Sequence, residues 1–419
     1  AEAGSTVELF DGDNSLGTSS ADSSGNFSIT SSELVDNSYT LTVTATDAAG
    51  NISAASIGLP MTIDITAPDA PVISTTIALT NDNTPTIEGT AEAGSTVELF
   101  NGSNSLGTVT ADGNGDFSIT SSELVDNSYT LTVTATDAAG NISAASIGLP
   151  MTIDITAPDA PVISTTIALT NDNTPTIEGT AEAGSTVELF NGSNSLGTVT
   201  ADGNGDFSIT SSELADNSYT LTVTATDAAG NESAASNELA ITIDATAPEA
   251  PVITMTTDLT NDPTPVIQGT AEAGSTVTLL SGDTALGTAT ADGNGDFSIT
   301  SSELADNSYT LTVTATDAAG NTSAPSIGLP ITIDTTAPDA PVISTTIALT
   351  NDNTPTIEGT AEAGSTVELL NGVTSLGTAA TDVDGNFSID SSELADSDYT
   401  LTVTATDGAG NESAASEGL

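Results

Sequence analysis

The chain has no lysine, arginine or histidine, no cysteine and no tryptophan among its 419 residues, and aromatics amount to 3%. Each absence removes a class of chemistry. Without histidine, cysteine or lysine there is no Ser–His or Cys–His nucleophile pair, no Schiff base and no zinc site of the usual nitrogen and sulfur kind. Without arginine or lysine there is no phosphate clamp, and a nucleic acid would meet only repulsion. No disulfide can staple the fold, an absence that suits secretion. No stretch approaches the ~20 apolar residues of a membrane helix, and no charged-then-apolar leader opens the sequence. Neither an enzyme, a nucleic-acid partner nor membrane insertion is expected. What the chain does have is acid: 58 Asp and Glu give a formal net charge of −58.

Order enters through repetition. The string AEAGSTV starts at Ala1, Ala91, Ala181, Ala271 and Ala361, a period of 90 residues without an insertion. That period is too long for a solenoid unit and fits a string of whole small domains. Proline concentrates in IDITAPDAP, from Ile63 to Pro71, and its later copies. Two prolines in four residues fix φ and remove donors, as in a stiff extended linker. Boundaries follow at 1–65, 66–155, 156–245, 246–335 and 336–419. The first unit is expected to be partial and the final one to lack its last strand, as in a window cut from a longer array.

Within 66–155, Val, Ile, Leu and Phe supply 21 of 90 residues, close to the ~20% level below which chains tend to stay disordered. Pattern argues for folding. From Tyr129 to Thr136 the sequence alternates, with Tyr129, Leu131, Val133 and Ala135 on one side and threonines on the other. The runs STVELF, DFSIT and MTIDI alternate too, and the turn strings TNDN, NGSN, DGNGD and DAAGN separate them. Seven strands are predicted, at about 71–79, 84–90, 95–101, 105–111, 116–121, 128–136 and 147–154. The fold class is all-β, a tandem array of seven-stranded immunoglobulin-like sandwiches. One tyrosine per repeat (Tyr39, Tyr129, Tyr219, Tyr309, Tyr399) stands where a tyrosine corner is expected.

The linker DxTAP, the strand entry NTPTIEGTAEAGSTV, the turn ADGNGDFS and the run DNSYTLTVTATDAAGN recur in order along essentially the whole chain. Together they resemble the bacterial Ig-like tandem repeats of giant type I-secreted, RTX-type biofilm adhesins. The resemblance implies a stalk between a cell-anchoring end and a ligand-binding tip, with calcium at the junctions. No Gly-Gly-x-Gly-x-Asp array and no tip module accompanies it, so the adhesive target lies elsewhere.

Topology then places the acids. With alternating strand directions, the loops after strands two, four and six share one pole with the incoming linker. The sets expected to gather there are Asp64, Asp69, Glu92 and Asp137; Asp154, Asp159, Glu182 and Asp227; Asp244, Glu249, Glu272 and Asp317; and Asp334, Asp339, Glu362 and Asp407. Crowded carboxylates with no internal cation favour a hard divalent ion, and Ca²⁺ accepts 6–8 oxygens in flexible geometry. The turn Asp112-Gly-Asn114-Gly-Asp116 imitates half of an EF-hand loop but reads better as a hairpin turn. The function expected is a calcium-stiffened extender of a bacterial cell-surface adhesin, extracellular, its partners being calcium and its own neighbouring repeats. A self-associating filament subunit and a direct glycan- or ice-binding module are the alternatives.

Overall fold

The computed structural model describes residues 1–419. Alternation sets the sheet faces as expected. In the strand Asn127–Thr136, Leu131, Val133 and Ala135 are fully buried and Tyr129 is half-buried, while the threonines between them face outward. This strand lies at the centre of a five-stranded sheet, in the order Leu79–Thr80, Leu149–Ile153, Asn127–Thr136, Thr96–Asn101, Asn104–Thr110. A three-stranded sheet of Asp116–Thr120, Thr86–Thr90 and Val72–Ile73 packs over it. Ile87, Phe117 and Ile119 from the smaller sheet meet Val97, Leu99, Leu131, Val133, Met151 and Ile153 from the larger in one core. Each such side chain contributes about 1.5–3 kcal/mol on burial, which lets so apolar-poor a sequence fold. No helix forms, so none is long and apolar enough to cross a membrane.

The expected first strand, 71–79, is two. Val72–Ile73 pairs antiparallel with Thr86–Thr90, whereas Leu79–Thr80 pairs parallel with Leu149–Ile153 in the other sheet. An edge segment that serves both sheets must cross the gap between them, and ladder pairing lapses over the crossing. The remaining six strands stand where alternation put them, within two residues or so.

Three local devices hold each sandwich. Gly89 leaves room for the chain beside it: a Cβ there would lie 2.1 Å from the Val72 carbonyl and 2.6 Å from Phe117 Cζ. The turn at 112–116, expected to close a hairpin, instead carries the chain from Asn104–Thr110 in the larger sheet to Asp116–Thr120 in the smaller, because its two flanking strands pair with different partners. It is fixed by Asp112, whose Oδ1 accepts the N–H of Asn114 at 2.7 Å and of Asp116 at 3.0 Å. This is an Asx turn, with Gly115 at φ 86°. The tyrosine corner forms in every unit, the hydroxyl donating to a carbonyl four residues upstream: Tyr129 to Val125 and Tyr219 to Ala215, both at 2.8 Å.

The stretch between the last two strands is held by serines. Ala135 N–H donates to Ser143 Oγ at 2.9 Å and Val133 N–H to Ser146 Oγ at 3.1 Å. The N–H groups of Ser143 and Ser146 return to the Ala135 and Val133 carbonyls. Hydroxyls thus finish a sheet edge that no strand covers.

The end units follow from the same pairing rules. Residues 1–65 form the sheet Asn14–Ser20, Thr6–Asp11, Asn37–Thr46, Leu59–Ile63 without a three-stranded partner. In 336–419 no strand follows Leu401–Thr406, and Leu349, deprived of that neighbour, is exposed.

Candidate functional site

The linkers are gripped from both sides. Upstream, Asp126 precedes the long strand Asn127–Thr136, and its carboxylate accepts the N–H of Ile155 at 2.8 Å and the hydroxyl of Thr156. Asp36, Asp216 and Asp306 repeat this with residues 65–66, 245–246 and 335–336. Downstream, the next unit reaches back. Asn231 Nδ2 donates to the Asp154 carbonyl at 2.8 Å across 77 residues of sequence, as Asn141 does to Asp64, Asn321 to Asp244 and Asn411 to Asp334. A second approach reinforces it: a Cβ on Gly230 would lie 3.4 Å from the Asn81 amide of the preceding unit. The prolines Pro68 and Pro71 flanking this grip are buried.

The expected acids divide by what they do. Asp64, Asp154, Asp244 and Asp334 stand at the junction, offering a backbone carbonyl to the next unit and a carboxylate to the N–H two residues on. Asp137, Asp227, Asp317 and Asp407 also stand there, but they spend their carboxylates on their own loops. Asp227 Oδ1 accepts the N–H groups of Ala229, Gly230 and Asn231, and Oδ2 accepts the Asn231 amide at 2.8 Å. That leaves little lone-pair capacity on a carboxylate with about four acceptor sites. Glu92, Glu182, Glu272 and Glu362 have exposed side chains; their carbonyls accept the hydroxyls of Ser95, Ser185, Ser275 and Ser365. Asp69, Asp159, Glu249 and Asp339 are exposed on the linkers. Nowhere do three acidic side chains gather closely enough to hold one metal ion.

Charge follows hydrogen bonding here. The Asn141 amide, aided by backbone N–H groups, holds Asp137 below the ordinary carboxyl value of 3.8. At Asp227, Asp317 and Asp407 burial pushes the carboxyl up, but the amide and backbone donors outweigh it and the net shift is downward. The Thr246 and Thr336 hydroxyls, with the linker N–H groups, likewise lower Asp216 and Asp306. At these positions amide, hydroxyl and backbone donors favour the ionised carboxylate, as a neighbouring cation would.

Two residue classes escaped the sequence reading. The gripping asparagines sit in the string DAAGN, which reads as a turn; the donation across 77 residues has no local signal. Asp36 and its repeats lie 29 residues from the linker they hold. Their repetition at every junction was the available clue.

Two relatives share sequence with the chain. Chitinase A1 of Niallia circulans is 35% identical over 194 residues, 43% of this chain and 26% of that protein. Exoglucanase B of Cellulomonas fimi is 32% identical over 212 residues, 45% of this chain and 18% of that protein. The chain therefore spans only a minor part of either relative. Among solved structures, the fibronectin(III)-like modules of Clostridium thermocellum CbhA align with a TM-score of 0.30 at 16% identity, over 41% of this chain and 93% of theirs. The BSP domain of a biofilm associated protein aligns with a TM-score of 0.18 at 14% identity, over 84% and 96%. A family profile described as bacterial Ig domain matches residues 1–63. The profile described as bacterial Ig-like domain matches 68–155, 158–245, 253–335 and 342–419, and the chain belongs to this family as a tandem array of its repeats.

Proposed function

We propose that the chain is a non-catalytic extender: a stalk segment of an extracellular bacterial surface adhesin of the type I-secreted, RTX-type class, supporting cell adhesion and biofilm formation. The observation that carries this reading is the recurrence of one linker grip at four junctions, Asn141 to Asp64, Asn231 to Asp154, Asn321 to Asp244 and Asn411 to Asp334, at 2.7–3.0 Å. A repeated hinge with a repeated brace sets a repeated angle, which is what a spacer needs and an enzyme does not. Units of about 40 Å in series reach on the order of 200 Å. The absence of lysine and arginine leaves no trypsin site along that reach.

Calcium belongs to the same reading as the ion of the linkers. The donors there are all oxygens, and Asp126 and Asp154 both direct a carboxylate at residues 155–156. Since Ca²⁺ takes 6–8 oxygens, backbone carbonyls and water would complete its shell. The ion adds to a linker that protein hydrogen bonds already hold, so it stiffens the junction without being its sole brace.

Small-angle scattering and thermal unfolding of the full chain, in millimolar calcium and in EDTA, test both parts. An elongated particle that loses maximum dimension and melting temperature in EDTA is the expected outcome. A compact particle in both conditions would refute the extender. An elongated one indifferent to EDTA would remove only calcium.

A further inference from the structure

We infer that the outer edge of the three-stranded sheet, at Val252–Ile253 and Val72–Ile73, takes up an extended peptide strand with apolar side chains and a cationic end. The first ground is register. Thr254 N–H donates to the Gln268 carbonyl at 3.0 Å, and Ser74 N–H to Glu88 at 2.8 Å. In an antiparallel ladder successive residues turn their polar groups alternately inward and outward. Ile253 and Ile73 therefore present N–H and C=O to the open side.

A sibling unit shows what that edge accepts. In 156–245 the N–H of Ile163 donates to Asn237 Oδ1 at 3.0 Å, and Asn237 Nδ2 donates back to the Ile163 carbonyl at 3.4 Å. One side-chain amide reproduces the pair of bonds that a neighbouring strand would make. Ile163 is then 6% exposed and joins the core, whereas Ile73 and Ile253 are only partly buried.

The other complete units lack this closure. Isoleucine replaces Asn237 there, and Ile147 and Ile327 stand 93% and 92% exposed with no polar atom to offer the edge. In 246–335 a groove of about 280 Å³ results, lined by Pro251, Val252, Ile253, Met255, Ile327 and Leu329. Open polar backbone beside apolar walls is the recognition surface of strand addition.

Charge selects the occupant. Glu249 and Glu272 line the adjoining hollow at the Val252 end. The chain itself has no cationic side chain, so the strands of a second copy would bring acid to acid. A foreign strand with alternating apolar residues and a lysine or arginine at that end satisfies both features. This inference is independent of the extender reading.

The test uses the full chain and a blocked peptide, Lys-Val-Thr-Ile-Thr-Lys, with its Glu-for-Lys counterpart as control. The sequence around Ile253 is unique among the repeats, so its amide exchange can be followed by mass spectrometry. Exchange at Ile253 is expected to slow about tenfold at peptide concentrations ten times the dissociation constant. Ile327→Asn, at an exposed position, should abolish that slowing by closing the edge from within. Asn237→Ile should add one equivalent of bound peptide in calorimetry. Unchanged exchange at saturating peptide, or equal slowing by the acidic peptide, would overturn the proposal. So would protection that grows with chain concentration alone, which would make a second copy the occupant.

Discussion

Asn231 Nδ2 lies 2.8 Å from the carbonyl oxygen of Asp154 and 2.8 Å from Oδ2 of Asp227, so one amide joins the exit of one sandwich to the loop of the next. The relation recurs at each junction, and it turns a covalent tether into an oriented contact. Removing the amide separates orientation from folding.

Asn231→Ala should leave both sandwiches folded, at a cost of about 1 kcal/mol to the 156–245 unit for the lost hydrogen bonds. Its main effect should fall on the junction. Spin labels on cysteines introduced either side of the junction, in a chain otherwise free of cysteine, should show a broadened distance distribution. A distribution of unchanged width would deny the amide its orienting role.

Gly179 admits no side chain. A Cβ there would meet the Val162 carbonyl at 2.2 Å and Phe207 Cζ at 2.5 Å. Gly179→Ala should destabilise its unit by about 1–3 kcal/mol, the usual cost of overpacking. Urea unfolding of the chain should show an early transition for one unit, with the others unmoved.

Tyr219→Phe removes only the hydroxyl bonded to Ala215 at 2.8 Å. A loss of about 0.5–1.5 kcal/mol is expected, without change in the dimensions of the chain. Calorimetric melting measures it. A neutral result would reduce the tyrosine to core filler.

Acid should loosen turns and linkers before cores. Folded Asp202, Asp216 and Asp227 lie below the ordinary value of 3.8, held there by backbone, threonine and asparagine donors. A depressed carboxyl contributes stability that is complete above the unfolded value and is lost as pH falls through the folded one. Melting temperature should therefore hold from neutrality to about pH 4 and drop beneath it. Asp216→Asn should shrink that drop. Stability that rose steadily on acidification would mean that relief of repulsion among the acids outweighs these bonds.

How much of this was legible beforehand depends on distance along the chain. Leu131, Val133 and Ala135 announced their buried face by alternation, a signal two residues long. Asp112 and Gly115 announced their turn within five residues, and the structure bears both out. Tyr129 was expected at a corner and makes it. The split of 71–79 was not legible, because strand propensity does not say which sheet a residue will join.

Composition and a 90-residue period determined that the protein is a chain of acidic β-sandwiches with a hinge between each pair. They did so because burial and turn chemistry act locally and repeat with the sequence. Only the tertiary structure decided which atoms hold the hinges, and that Asn237 closes an edge which Ile327 leaves open. Those bonds join residues 74 and 77 positions apart. Whether an amide there serves a turn, a junction or a sheet edge depends on what the rest of the fold brings within three ångströms of it.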